Sequence, residues 1–228
     1  MLLLVHGGAG TIEPQYVPLK LAGVKQAVRV GYEALANGRS AVDAVEAAVR
    51  HMENDPIMNC GYGSALTSAG TVECDAFIMD GRTLKSGAVA GVQRIRHPIS
   101  LARAVMDRTD HCLMMGTGAE SLAQEVGIDL VDNESLVHEI AQKRLNAYKI
   151  LKQKAAEGMP SGGTAPTNTT NTIAKALGAG RGEHDTVGAV AVDWEGNCAA
   201  ATSTGELTGK RVGRVGDSPI IGAGGYAD

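Results

Sequence analysis

His184-Asp185-Thr186-Val187-Gly188-Ala189-Val190-Ala191-Val192 is the stretch on which the reading of this chain turns. It is a run of small and branched residues. A turn at Glu195-Gly196-Asn197 separates it from a second such run, Cys198 to Thr204. Alternating branched and small residues bounded by turn formers predict two paired strands. The tract before it, 158–183, is rich in Gly, Thr, Asn and Pro. It offers too little apolar surface to offset the entropy of ordering, which predicts a flexible linker with a short helix near Ile173 to Leu177. A strand threonine ordinarily reflects β-propensity alone. Thr186, however, follows a linker, opens a small-residue strand and precedes a Thr202-Ser203-Thr204 cluster on the next strand. Cleaving the Asp185–Thr186 bond would free an α-amine on the residue that carries the hydroxyl. Such an amine has a pKa of roughly 7.7–8.0 and can take the hydroxyl proton. One residue would then supply both nucleophile and base.

Working outward, Leu2-Leu3-Leu4-Val5 predicts a buried strand that runs into the loop His6-Gly7-Gly8-Ala9-Gly10. Four apolar residues are too few for a signal-peptide core or a membrane span. Residues 18–37 carry helical periodicity. Ser40 opens a second helix, with Asp43 as its capping-box partner and Ala41, Val42, Val45, Ala48 and Val49 on its apolar face. Asp55-Pro56 ends it. Strands are expected over 71–80 and from Ser86 to Val92, around an Asp80-Gly81 turn. Short helices are expected over 99–106 and 119–126, and a long charged helix over 133–157.

Of the 228 residues, 44% are hydrophobic and 20% charged, as in an ordinary globular protein. The net charge of −4 argues against a phosphate-binding surface, and 3% aromatics against a base-stacking platform, so no nucleic-acid or membrane partner is expected. Cys60, Cys74, Cys112 and Cys198 form no C-x-x-C pair and are expected as free thiols in a reducing, cytoplasmic setting.

Several motifs occur in one order: His6-Gly7-Gly8-Ala9-Gly10, Ser40 to Glu46, Asn59-Cys60-Gly61-Tyr62-Gly63-Ser64, Asp75-Ala76 with Ile78 to Gly81, Thr186 to Val190, Thr202 to Gly205, and Gly213-Arg214-Val215-Gly216-Asp217-Ser218-Pro219 continuing to Asp228. In this the chain resembles, from its first strand to its last residue, the plant-type L-asparaginases, also called isoaspartyl peptidases. These are threonine-type N-terminal nucleophile hydrolases.

The resemblance implies an α+β fold, the four-layer αββα sandwich of that superfamily, missing its C-terminal part. It implies one domain over 1–228: an α subunit, 1–185, with the flexible linker 158–185, and an incomplete β subunit, 186–228. The implied activity is hydrolysis of L-asparagine and of β-aspartyl peptides. Thr186 would be nucleophile and Asp185–Thr186 the cleavage site, with Thr204 a second catalytic threonine. Arg214 would bind the substrate α-carboxylate through its planar fork, and Asp217 the α-ammonium, with Val215 and Gly216 in the same loop. Gly7, Gly8 and Asn59 would support the site. No cofactor is required. A structural sodium ion would be held by main-chain carbonyls of Met52, Glu53, Asp55, Met58, Cys60 and Tyr62, oxygen donors suited to a hard cation. The expected assembly is a dimer of processed units. His6 and His184 are read as structural.

Three departures stand out. Cys60 replaces an alanine, Glu206 replaces the second glycine after Thr204, and the chain stops before a Thr-Thr-Gly-x-Gly segment that would supply oxyanion donors. The expectation is therefore a truncated chain of weak activity. A glycosylasparaginase-like or threonine endopeptidase activity, or a role in partner binding, are the alternatives.

Overall fold

The computed structural model describes residues 1–10, 12–157 and 185–228. The expected linker, the helix near Ile173 and His184 lie outside the described residues. Among the described residues there are six strands and five α-helices: β1 (Leu2–His6), α1 (Val17–Ala36), α2 (Ala41–Glu53), β2 (Cys74–Asp80), β3 (Lys85–Val92), α3 (Pro98–Arg108), β4 (Met114–Met115), α4 (Gly116–Glu125), α5 (Glu139–Glu157), β5 (Val187–Val192) and β6 (Cys198–Thr204). The strands form a mixed sheet in the order β1-β5-β6-β2-β3-β4. Only the β3/β4 pair is parallel. One sheet of the expected sandwich is thus described.

The decisive pair, β5 and β6, is antiparallel, with Val187 opposite Ser203 and Val192 opposite Cys198. Its reversal is held by Asp193. The Asp193 carboxylate accepts bonds from the amides of Glu195 and Asn197 at the turn and of Ala41 at the start of α2. Burial opposes its charge, but these amides win and hold it below the usual carboxylate range. α2 itself begins with the expected capping box, Ser40 Oγ accepting from the Asp43 amide and Asp43 accepting from the Ser40 amide.

Alternation along each strand makes two faces. Leu3, Ala189, Ala191, Ala199, Ala201, Ala76, Ile78 and Val89 face the helices and pack with Ala44, Val45, Ala48 and Val49 of α2 and Ile99, Leu101 and Ala102 of α3. Small residues allow a close approach. A Cβ on Gly87 would collide with the Ala102 carbonyl, so α3 lies directly on β3. On the opposite face Leu4 and Val190, register partners, remain 60% and 47% exposed. A smaller cluster there joins Phe77, Met79, Ala88 and Ala200 to Ala227 near the chain end.

Several expectations shift at their boundaries: the helix expected over 119–126 runs from Gly116 to Glu125 and that over 99–106 from Pro98 to Arg108. Residues 133–136 form a 3-10 turn instead of the first turn of a long helix. The Asn133 amide bonds the Val72 and Gln93 carbonyls, while its oxygen accepts from the Val72 amide, which pins it to the sheet. The 71–80 strand begins at Cys74, since Leu66 and Val72 bridge each other first. All four cysteines are free. No helix among the described residues is long and apolar enough to cross a membrane.

The end of α2 is tied to the sheet by a buried carboxylate. Glu53 accepts from the Ile99 amide at 2.9 Å and from Ser203 Oγ at 2.7 Å, with His97 Nδ1 at 3.5 Å. Burial pushes its carboxyl above the usual range, against those three partners. Glu53→Ala would leave donors on α3 and β6 unpaired in the core. It should lower the unfolding free energy by about 3 kcal/mol in urea titration, whereas Glu53→Gln should cost less.

Candidate active site

The site is built where β5 begins and β6 ends. Because Val187 faces Ser203, the next step along the register sets Thr186 beside Thr204. The Thr204 hydroxyl donates to the Asp185 carbonyl at 3.4 Å and accepts from the Glu206 amide at 2.9 Å. That carbonyl belongs to the Asp185–Thr186 peptide bond, so a hydroxyl sits on the oxygen of the bond expected to break. The Thr186 hydroxyl lies 3.1 Å from Ser218 Oγ, and the Ser218 carbonyl accepts from Thr202 Oγ1 at 2.9 Å. Two threonines and a serine from three segments therefore converge on one peptide bond.

The Asp185 side chain is fixed on its own account. Both carboxylate oxygens accept from Lys20 Nζ, at 2.9 and 2.8 Å, and Lys20 is buried. The glycine loop after β1 wraps the same carboxylate. A Cβ on Gly8 would collide with it, and Gly8 has a left-handed φ of 112°. Gly7 instead packs against Val24 and Met58. His6 packs on Gly188. Burial lowers its pKa, and the Asp185 charge opposes the shift.

Asn59 organises the turn after β6. Its Nδ2 donates to the Glu206 carbonyl, its Oδ1 accepts from the Ala65 amide, and its main-chain carbonyl accepts from the Gly205 amide. The loop that follows carries Arg214, Val215, Gly216 and Asp217. Arg214 is ion-paired with Glu206, and a Cβ on Gly216 would collide with the same carboxylate. Asp217 and Val215 are exposed. Among the described residues the Asp217 carboxylate makes no hydrogen bond. A cleft of about 480 Å³ reaches Asp185, Asn59, Glu206 and Lys20, with Tyr16 and Arg144 at its sides. Thr186, Arg214 and Asp217 do not line it.

The six residues expected at a cation loop lie behind this site. Met52, Glu53, Met58 and Cys60 are fully buried, and Glu53 spends its carboxylate on Ile99 and Ser203. Their side chains therefore form core and not a ligand set. Among the described residues no group of three His, Cys, Asp or Glu could hold a metal. Of the main-chain oxygens, Met52 accepts from the Asp55 amide, Asp55 from the Met58 amide and Cys60 from the Gly63 amide. The carbonyls of Glu53, Asp55 and Met58 lie so close to Gly61 and Gly63 that a side chain there would collide with them.

Sequence reasoning missed Lys20 and the role of Ser218. A lysine on an amphipathic helix reads as solvent-facing, and only the tertiary fold shows its partner 165 positions away. Asp75 stands in the Asp75-Ala76 motif but carries no sequence mark of its own role.

Comparison with known proteins shows what the chain is similar to. The asparaginase family model (Asparaginase_2) matches residues 1–228. The chain is 48% identical over 227 residues to the isoaspartyl peptidase/L-asparaginase of Xenopus laevis, covering 100% of this chain and 66% of that protein. It is 46% identical to the Homo sapiens isoaspartyl peptidase/L-asparaginase (100% and 67% covered) and 44% identical to the plant-type L-asparaginase of Pyrococcus horikoshii (99% and 70%). The chain thus spans about two thirds of the length of the curated relatives it matches. It belongs to the asparaginase family.

Asp75 lies at the edge of the site, opposite Thr204 in the sheet. Burial pushes its carboxyl up to about 6. The Gly91 amide and Lys210 oppose the shift, and the neighbouring Glu206 carboxyl adds to it. Its folded-state pKa therefore exceeds the unfolded value near 3.8. The folded protein holds the proton more tightly, so this contribution to stability is present at low pH and is lost as pH rises through about 6. Asp75→Asn copies the protonated form. It should match the parent in urea midpoint near pH 4 and exceed it at pH 8, by on the order of 2 kcal/mol.

Proposed function

We propose that this chain is the nucleophile-bearing part of an autoprocessing amidohydrolase, which hydrolyses L-asparagine to L-aspartate and ammonia and removes β-aspartyl residues from peptides. One observation carries the reading: the Thr204 hydroxyl rests on the carbonyl of the peptide bond that precedes Thr186. With that bond intact the Thr186 nitrogen is an amide and cannot act as a base. Attack of Thr186 Oγ on the Asp185 carbonyl carbon breaks the C–N bond, passes the hydroxyl proton to the departing Thr186 nitrogen and forms an ester on Thr186, with Thr204 donating to the oxyanion. Water then hydrolyses the ester, leaving an Asp185 carboxylate and a free α-amine on Thr186. In turnover that amine takes the hydroxyl proton as Oγ attacks the substrate's side-chain amide carbonyl. It returns the proton to the leaving ammonia or peptide amine, and a second water releases L-aspartate from the β-aspartyl ester.

Arg214 would receive the α-carboxylate and Asp217 the α-ammonium, on the loop whose Ser218 bonds Thr186. The carbonyls of the Met52–Tyr62 loop would hold a sodium ion that stiffens the segment carrying Asn59. The finer assignments share this standing: a four-layer αββα sandwich, one domain divided into subunits at Asp185–Thr186, a dimer of processed units, and a cytoplasmic location without nucleic-acid or membrane partners. The first of these draws its support from the family match over the whole chain.

Intact-mass spectrometry of the purified chain tests the reading. The parent should yield the fragments Met1–Asp185 and Thr186–Asp228, and Thr186→Ala one uncut mass. Release of L-aspartate from L-asparagine and from a β-aspartyl dipeptide should fall at least about 10⁴-fold in that variant, with glycosylasparagine assayed alongside to place the substrate class. A Thr186→Ala chain still cut before position 186 would contradict the proposal.

A further inference from the structure

Glu206 is placed by its backbone, before its side chain makes any contact. Its φ of 65° lies in the left-handed region, where a non-glycine residue is uncommon. Its amide is bonded to Thr204 Oγ1 and its carbonyl to Asn59 Nδ2. From there the side chain runs into the protein and is 2% exposed. One carboxylate oxygen takes Arg214 Nη1. The other has no hydrogen-bond partner among the described residues. The Arg214 side chain is 31% exposed, so a ligand can still reach it. The carboxylate also fills the space over Gly216, in the middle of the loop read as the amino-acid grip.

We propose that Glu206 is a specificity-determining residue, an internal carboxylate that occupies the Arg214 guanidinium and that a ligand's α-carboxylate must displace in order to bind. The inference rests on the reading of Arg214 as the carboxylate-binding residue. Glu206 already takes Arg214 Nη1, so an incoming carboxylate loses that donor for a two-point grip and meets a second negative charge beside it. Ligand affinity is then scaled down to the fraction of molecules in which the guanidinium is free. The Asp75 carboxyl also neighbours Glu206, so the displaced side chain does not gain a cation there. Ligands without an α-carboxylate escape this competition, which narrows the normal preference for free amino-acid ends.

The test is calorimetric titration of the full chain with L-aspartate, and with β-alanine, which is L-aspartate without its α-carboxylate. Glu206→Gly removes the competitor at a backbone conformation that glycine adopts freely, and Glu206→Gln removes only the charge. L-Aspartate should bind Glu206→Gly at least about tenfold more tightly than the parent, given the strength of charge-assisted bonds. Glu206→Gln should show a smaller gain, and β-alanine no change. Adding Arg214→Met should erase the gain. Equal L-aspartate affinity in parent and both Glu206 variants, with Arg214→Met weakening all of them, would overturn the proposal and leave the Arg214 assignment standing. L-Aspartate binding that is absent, or indifferent to Arg214→Met, would overturn the assignment and the proposal together.

Discussion

The register of β5 against β6 is the constraint from which the site follows. With Val187 opposite Ser203, Thr186 meets Thr204, and the Asp185 carbonyl meets the Thr204 hydroxyl. In a sheet, a slip of one residue sends every side chain to the other face. It would carry Val187 and Ala189 out of the core and take Thr204 away from the Asp185 carbonyl together. Packing and chemistry are therefore specified by the same alignment. The register is secured from both ends, by Asp193 at the turn and by Glu53 holding Ser203 to α2 and α3. Neither residue touches the peptide bond at Asp185, yet each bears on where it lies.

Much of this was legible in the residues because it depends on local signals. The Ser40–Asp43 capping box, the alternation in β5 and β6 and the Glu195-Gly196-Asn197 turn are short-range patterns, and each appears where its chemistry places it. What could not be read was long-range. Asn133 belongs by composition to a helix, but its amide is taken by Val72 and Gln93 across the fold. β4, only two residues long, exists because Met114 pairs with Val89, a partner that periodicity does not reveal. Lys20 carries no sequence mark of its ion pair with Asp185. Glu206 was legible as a departure from a glycine, and its charge as an intrusion, but its attachment to Arg214 required the fold of the loop.

The two faces of the sheet differ in what their residues ask for. Toward the helices, alanines and glycines permit backbone-close packing, and the burial is nearly complete. On the other face, Leu2, Leu4 and Val190 form an apolar row of which much stays in contact with water, while Phe77 and Met79 are covered by the segment near Ala227. A sheet whose strands are apolar on both sides calls for cover on both sides. The proposal of a four-layer architecture rests on this composition as well as on the family match.

Charge is balanced locally around the Asp185–Thr186 bond. Asp185 has Lys20, Glu206 has Arg214, and Asp75 has the field of Lys210, whose ammonium also bonds the Glu73 carbonyl. Each carboxylate is beside one cation, in surroundings where an unpaired charge would be costly. A zwitterion such as a free amino acid fits such a site only by exchange: its carboxylate must take a cation already in use, and the acid set aside must find water or a proton. The adjacent Asp75, with its carboxyl raised to about 6 by burial, holds a proton more readily than an ordinary carboxylate. It can therefore stand beside Glu206 with less repulsion than two fixed negative charges would impose. On this argument the affinity for ligand is set less by the groups that touch it than by how easily Glu206 lets go of Arg214.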